Sequence, residues 1–489
     1  MESLYELIHR SLTPEGTLPK DFSLPKPDGD KIHFADGAMD GIAIYHTASS
    51  SEDVTLLEQA VCAASHDDTA SALELVQQFC KKGRMIGAID EIQQYIIDHQ
   101  EELAAGKIFQ LGRELVFGGT HREAVKFGLA LLELFDINGN EELKEAVREL
   151  ACSDELTIFA LFLMSSWENP EQEIFKAARR VRGWGRIHAV ERLTPVNEEM
   201  EQWLLTEGWD NTVLPAYSAL ECFQKARCDE LLKGEMTREQ LRSMAGLMEG
   251  LLDEGPVRGI SACDNPEQVL TSFLRQSGRF ELTAREYSVI DQILDYAREN
   301  NLEQAALAAE ELLGNENCRL LLQSEMERGG SLRLAKKLGM DYAPYAMTAI
   351  RDNFRQNYHD IDLLMDRDEY AEKLIPLFEE RLPLAEMATG SADEMGLGEE
   401  FADYRILIYM VQYLKNRPGM GLRLIQTALK APVVNNRNMA LKVLEEWVKD
   451  RGCPLAECFP DFHQLLLEIR ENEVREDIRA RMDALVGEN

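Results

Sequence analysis

The pattern of apolar and polar positions predicts short amphipathic helices from about Ser51 to the end of the chain. In residues 102–117, for example, Ile108, Leu111 and Leu115 recur at spacings of three and four, which is the helical period. The predicted helices are about 10 to 20 residues long, and brief breaks rich in Pro, Gly, Asn or Asp separate them. Because such short helices bury their apolar faces only against neighbouring helices, we expect an all-α protein.

Capping residues mark several of the predicted helix starts. Asn169 stands directly before Pro170, which is a favourable pair for a helix N-terminus. Thr237 and Asn265 are interpreted in the same way, and so is Ser153, which two acidic residues follow. Polar caps and the apolar period together predict where the helices begin.

The first part of the chain, residues 1–50, has a different pattern. Four prolines fall between positions 14 and 27, so this stretch is expected to be extended and irregular. In residues 31–46 two short apolar runs flank a middle rich in Gly and Asp, which predicts a small hairpin. An irregular cap over the end of the helical array is the alternative. A polar end unit of either kind is what a stacked array needs.

The remaining chain is expected to form one continuous helical array with a first half over 51–255 and a second half over 256–489. Irregular stretches at 253–264 and 388–398 interrupt the helices, and the latter is predicted to be a flexible loop of small residues. Neither stretch is long enough to link independent domains.

Two distant segments share one helix pattern. Arg186 and Arg437 are each followed by Ala at the third position, an aliphatic residue at the fourth and Leu at the seventh, and each comes after a tight break. This pattern resembles the second helix of HEAT and armadillo repeats. The resemblance implies a right-handed α-solenoid of HEAT/ARM-like helix pairs with a small irregular N-terminal cap. A less regular helical stack with tetratricopeptide-like pairs is the alternative.

The charge of the chain narrows the classes of partner. Asp and Glu number 87 against 52 Lys and Arg, a net charge of −35, which repels phosphate backbones. Nucleic acid is therefore not an expected partner, and solubility is the simpler explanation of the acidity. The nine cysteines are scattered and form no CxxC pair, and the acidic N-terminus lacks a secretory signal. No apolar stretch is long enough to span a bilayer. These features predict a cytoplasmic protein that does not enter a membrane.

One segment departs from this acidic background and supplies the candidate site. Its predicted partner-binding residues are Lys176, Arg179, Arg180, Arg182, Trp184, Arg186, His188 and Arg192. Guanidinium groups bind carboxylates and phosphates with two hydrogen bonds, and Trp can stack on a planar group. The segment is therefore a candidate site for an anion or an acidic peptide. The alternative is an internal ladder in which the arginines pair with acids of adjacent repeats.

No catalytic signature motif occurs in the sequence, and residues 359–369, its densest group of His and acids, lack the further histidines of a metal hydrolase. Catalytic residues, metals and cofactors are therefore not predicted. We expect a non-enzymatic protein-binding scaffold with a concave surface, whose partner is another protein or an acidic peptide; its oligomeric state stays open. The alternatives are a nucleic-acid-acting enzyme, similar to the HEAT-like alkylpurine DNA glycosylases, and an immunity or defence accessory protein.

Overall fold

The computed structural model describes residues 2–25, 34–47, 52–255 and 257–487. Within these ranges the prediction of an all-α fold is confirmed, because 30 α-helices form and strands are absent. The single β feature of the described chain is an isolated parallel bridge between Glu394 and Val433. The chain divides into two compact units, Met1–Leu313 and Gly314–Asn489.

The first unit consists of short helices joined by brief turns. Its α-helices are α1 (Leu4–Ser11), α2 (Ala38–His46), α3 (Thr55–Ser65), α4 (Thr69–Phe79), α5 (Ile89–Asp98), α6 (Ala105–Gly118), α7 (Arg122–Leu132), α8 (Glu141–Leu150), α9 (Thr157–Met164), α10 (Pro170–Arg180), α11 (Trp184–Arg192), α12 (Glu198–Trp203), α13 (Ala216–Lys225), α14 (Cys228–Lys233), α15 (Arg238–Leu252), α16 (Pro266–Ser277), α17 (Ala284–Glu299) and α18 (Glu303–Leu313). Shorter 3-10 turns lie at Met85–Gly87 and Ile260–Ala262, and a π-helical turn lies at Leu204–Gly208.

The second unit continues the same pattern of short helices. Its α-helices are α19 (Glu316–Glu327), α20 (Leu332–Lys337), α21 (Ala343–Asp352), α22 (Phe354–Asn357), α23 (Asp368–Arg381), α24 (Leu384–Met387), α25 (Ala402–Val411), α26 (Leu422–Leu429), α27 (Val434–Arg451), α28 (Leu455–Cys458), α29 (Pro460–Ile469) and α30 (Glu476–Val486). The 3-10 turns of this unit are Tyr358–Leu363, Glu399–Phe401, Gln412–Asn416 and Arg470–Asn472.

Helices that are adjacent in sequence pack against each other in pairs, as α3 does with α4, α6 with α7 and α17 with α18. A second set of contacts skips one helix and runs from α7 to α9, α11, α13, α15 and α17 in turn. Every residue of α9 except Phe162 is buried, so this helix lies inside the first unit. Paired helices with a shared interior are compatible with a helical repeat protein.

The predicted helix starts at Pro170, Thr237 and Asn265 are confirmed. α10 begins at Pro170, and the side chains of Thr237 and Asn265 cap α15 and α16 by accepting N–H groups of the first turn. The prediction for Ser153 is wrong, because α9 begins only at Thr157. None of the helices in the described ranges is long and apolar enough to cross a membrane.

The hairpin predicted over residues 31–46 is wrong where the structure can test it. Residues 31–33 lie outside the described chain, and the second apolar run lies in helix α2. Gly41, which the sequence pattern places in a turn, instead lets α2 lie directly on Trp184: a Cβ atom at Gly41 would come within 2.1 Å of Trp184 Cε3. Asp40 reaches Lys126, with Oδ2 2.7 Å from Nζ. Tertiary contacts therefore decide the structure of this segment.

Candidate functional site

The eight residues of the predicted basic site lie on α10, on α11 and in the turn between these helices. The structure places them in different environments: three are buried, three pair with nearby acids, and two are unpaired and line a cavity. The segment therefore does not form one continuous basic surface. Only part of it is available to a ligand.

Arg186 is buried and serves the structure of the turn before α11. Its Nε donates to the carbonyl of Val181 at 2.9 Å, and its Nη1 donates to the carbonyl of Asp210 at 2.8 Å. Burial lowers the pKa of this guanidinium, although nearby acids oppose the shift. Arg186 thus satisfies backbone acceptors instead of facing solvent.

Trp184 and His188 lie in a buried aromatic cluster beneath α2. Trp184 packs against Tyr217 with ring centroids 5.0 Å apart, and His188 stacks on Tyr45 at 6.2 Å. Burial lowers the pKa of His188 to about 3, so its ring is neutral. Neither ring nitrogen of His188 has a hydrogen-bond partner among the described residues. These two side chains form core contacts.

Three further basic residues pair with acids. Lys176 and Arg192 pair with acids of their own helices, and Arg179 pairs with an acid of another helix, so one of the three pairs has the form that the internal-ladder alternative predicts. Lys176 Nζ lies 3.3 Å from Glu173, Arg179 lies 3.6 Å from Glu199, and Arg192 lies 3.7 Å from Glu191, in each case measured to a carboxylate oxygen. Lys176 and Arg179 are exposed, so these pairs contribute little to stability. They nevertheless neutralise the charge of three of the predicted site residues.

Arg180 and Arg182 differ from the other basic residues of the segment. Neither forms an ion pair with any described residue, and both line a cavity of about 540 Å³. Lys20, from the N-terminal segment, lines the same cavity and is also unpaired among the described residues. Phe22 and Val213 supply apolar surface to the cavity. Lys20 is not predictable from the sequence as a site residue, because no local pattern connects it with residues that lie far away in the chain.

Asp154 and Ser153 form the inner wall of this cavity. Asp154 Oδ1 accepts the backbone N–H groups of Gly183 at 3.0 Å and Gly185 at 2.7 Å, and so caps the N-terminus of α11. Burial raises the pKa of Asp154 to about 6, although these hydrogen bonds oppose the shift. Ser153 Oγ is buried and has no hydrogen-bond partner in the part of the chain that the structure describes.

Asp36 is the second carboxylate of the cavity, and an arginine outside the predicted site partly neutralises it. Arg122 Nη1 lies 3.7 Å from Asp36 and 3.0 Å from Glu155. Burial raises the pKa of Asp36, which a backbone N–H of Leu24 and the charge of Arg122 oppose. The three unpaired cations therefore share the cavity with two carboxylates, each of which is partly compensated by its own contacts.

A buried charge cluster beside Asp36 anchors the N-terminal segment that forms one wall of the cavity. The Nζ atom of Lys126 lies 2.7 Å from Asp40, 3.0 Å from Glu123 and 2.7 Å from Glu155, and the lysine side chain has no exposed surface. Burial alone would lower the pKa of Lys126, but the three carboxylates outweigh it and raise the pKa. The N–H of Gly37 donates to Glu155 at 2.8 Å. Lys126 therefore joins α2 to α7 and to the turn before α9.

The chemistry of the cavity favours binding. Two guanidinium groups and one ammonium group supply donors that match a carboxylate or a phosphate. The thiol of Cys152, which also lines the cavity, has its pKa raised by burial to about 11, so it is protonated and a poor nucleophile at neutral pH. Among the described residues there is no group of three or more His, Cys, Asp or Glu side chains that could hold a metal ion.

Comparison with known proteins found no matching family model, no matching curated protein and no matching solved structure.

Proposed function

We propose that this protein is a non-enzymatic binding scaffold that holds an anionic group of a partner protein in the cavity lined by Arg180, Arg182 and Lys20. The observation that carries the proposal is that these three cations share one cavity without an ion-pair partner among the described residues. The anionic group is a chain-terminal carboxylate or an acidic side chain of the partner.

The overall charge makes this arrangement selective. In a chain of net charge −35, most surface repels an acidic peptide, whereas the cavity attracts it. A bound carboxylate would replace the solvent around the two guanidinium groups with charge-assisted hydrogen bonds, each of which contributes about 1.5–3 kcal/mol. The buried hydroxyl of Ser153 offers a further donor to a group that reaches the inner wall.

The fold supports a scaffold in the same sense. Helices packed in adjacent pairs suit a HEAT- or armadillo-like right-handed solenoid, and arrays of this kind present extended binding surfaces. We place the protein in the cytoplasm, because the cysteines are free thiols, which persist in a reducing compartment.

A labelled peptide tests the proposal with the full-length protein. We expect a fluorescein-labelled oligoglutamate peptide with a free C-terminus to bind, as measured by fluorescence anisotropy. The double variant Arg180→Ala/Arg182→Ala should weaken this binding by roughly tenfold or more, since it removes at least one charge-assisted hydrogen bond.

The double variant Lys176→Ala/Arg179→Ala is the matched control, because it removes the same charge from the adjacent part of α10 but alters no residue that lines the cavity. It should bind the peptide as the wild type does. Equal losses in the two double variants would mean that only the total charge matters, and an absence of binding to the wild type would overturn the proposal.

The nucleic-acid alternative receives less support from the structure. Trp184, the aromatic residue that this alternative needs for stacking, is only 5% exposed and packs in the core. Duplex DNA that binds at moderate salt with a steep salt dependence would nevertheless favour it over the scaffold.

A further inference from the structure

The loop over residues 388–398 in the second unit presents two large apolar side chains to solvent. Met395 and Leu397 are each 58% exposed, although the sequence between them and around them is polar or glycine. Single exposed apolar residues are common on protein surfaces. Two such residues at the end of one loop indicate a binding surface when the loop is held in a fixed position.

The loop is held by hydrogen bonds at several points along its length. Arg437, which has no exposed side-chain surface, donates from Nη2 to the carbonyl of Ala392 at 2.9 Å. Arg405 Nη1 donates to the carbonyl of Gly398 at 2.5 Å. The backbone N–H of Val434 donates to the backbone carbonyl of Glu394 at 2.9 Å in the isolated bridge. The sequence predicts a flexible loop, whereas these hydrogen bonds hold the backbone of the loop at several points.

The backbone at the end of the loop also depends on glycine. Gly398 has φ of +97° and ψ of 165°, a conformation that is essentially restricted to glycine. This conformation and the contact with Arg405 fix the chain directly after Leu397. A loop that is already ordered loses little conformational freedom when a partner binds, so the exposed apolar area is available for binding.

The charge around the two apolar side chains indicates the kind of partner. Glu394 and Glu400 form no ion pair with any described residue, and Glu399 has only a distant contact of 3.9 Å with Arg405. A second copy of the chain would bring the same acids, and an anionic lipid surface would repel them. Only a basic surface complements this part of the loop.

We propose that residues 394–400 are a docking element whose two apolar side chains, Met395 and Leu397, insert into an apolar cleft of a partner protein rimmed by Lys and Arg. This site goes beyond the proposed anion site, because it recognises the opposite charge. It is also independent of it, since the residues of the two sites belong to different units of the chain.

Site-specific crosslinking in the native cell tests this inference with the full-length protein. A photoreactive benzoylphenylalanine replaces Leu397 in one variant and Leu307, a leucine of 66% exposure on α18, in the control variant. We expect position 397 to crosslink to one protein that position 307 does not, with the crosslink located in a cleft that has basic residues at its rim.

The partner protein that the crosslink identifies is then purified without the crosslink. Calorimetry with this partner measures how much the docking element contributes to the affinity. The variant Met395→Ser/Leu397→Ser should weaken binding by at least about tenfold, as truncation of anchoring side chains does at interfaces. Glu394→Gln/Glu400→Gln should weaken binding and reduce its salt dependence. The matched control Leu307→Ser/Leu320→Ser, which alters two leucines of similar exposure, should leave the affinity unchanged.

Three results would overturn the inference. The first is no crosslink at position 397 above that at position 307, and the second is an affinity that Met395→Ser/Leu397→Ser does not change. The third is that Met395→Ser/Leu397→Ser weakens only self-association, measured by light scattering, or only binding to phosphatidylcholine vesicles, measured by co-sedimentation. Failure of the anion-site proposal would leave these measurements unaffected, because Arg180→Ala/Arg182→Ala should not change this affinity.

Discussion

Arg437 and Glu473 form a two-point ion pair in which neither side chain has any exposed surface. Arg437 Nε lies 2.8 Å from Glu473 Oε2, and Nη2 lies 3.0 Å from Oε1. The same guanidinium donates to the carbonyls of Ala431 and Pro432, each at 2.8 Å. Its remaining bond holds the loop that carries the docking element, so the ion pair connects the core of the second unit with that loop.

We expect Glu473→Gln to destabilise the protein strongly. Glutamine keeps the shape of the side chain but leaves a buried guanidinium without its counter-charge, which costs about 3–5 kcal/mol. Urea denaturation followed by circular dichroism measures the loss in the free energy of unfolding. The control is Asp393→Asn, because the pair of Asp393 with Arg475 is exposed and should contribute at most about 1 kcal/mol. Similar small losses in both variants would contradict a structural role for the buried pair.

Replacement of Lys126 should have a comparable effect in the first unit. Lys126→Met removes the ammonium group that contacts Asp40, Glu123 and Glu155, and leaves their carboxylates buried together. The expected loss is again about 3–5 kcal/mol in the free energy of unfolding. Lys176→Met, which breaks an exposed pair, should change stability by at most about 1 kcal/mol. A wild-type melting temperature for Lys126→Met would refute this account of the cluster.

The two arginines of the HEAT-like pattern show what the sequence could predict. Arg186 and Arg437 were recognised from the same spacing of Ala, an aliphatic residue and Leu, and each donates to the carbonyl of the fifth residue before it. Periodicity and capping residues predict helices well because both act within a few turns of the chain. Both arginines lie in helices, as their shared pattern predicts. The environment of each arginine could not be predicted, because it depends on distant residues.

Residues 153–155 show why local patterns fail elsewhere. Ser153, Asp154 and Glu155 have the composition of a helix start, but Asp154 caps α11 from a distance and Glu155 binds Lys126. The environments of the candidate-site residues likewise depend on distant contacts. The sequence gives no measure of which basic residues of the segment are buried or paired, and it does not connect them with Lys20, which completes the cavity.

The variant Asp40→Asn should change the pH dependence of stability. Burial raises the pKa of Asp40 in the folded protein to about 6 from its ordinary value of 3.8, although Lys126 opposes the shift. Between these values the folded state binds more protons than the unfolded state, so the contribution of Asp40 to stability is lost as the pH rises.

Relative to Asp40→Asn, the wild type should therefore lose stability between about pH 4 and pH 6, by up to about 1.4 kcal/mol for each pH unit. Urea denaturation of both proteins across this range measures the difference. Subtraction of the variant profile removes the contribution of groups that titrate in both proteins. Parallel profiles would show that Asp40 does not titrate in this range.

The affinity of the cavity for an acidic peptide should depend on pH through Asp154. Above its pKa of about 6 the carboxylate is charged and repels an anion, whereas below it the neutral form does not. Fluorescence anisotropy with the oligoglutamate peptide should therefore give tighter binding at about pH 5.5 than at about pH 7.5. The peptide carboxylates remain largely ionised over this range, since the pKa of a free Glu side chain is about 4.3.

The variant Asp154→Asn separates this effect from other titrating groups. Asparagine keeps an oxygen that can accept the N–H groups of Gly183 and Gly185, so α11 retains its cap. The variant should bind the peptide at about pH 7.5 as tightly as the wild type does at about pH 5.5, and its affinity should change little between these values. If the affinity of Asp154→Asn depended on pH as that of the wild type does, Asp154 would be excluded as the titrating group, because the variant has no carboxylate at this position.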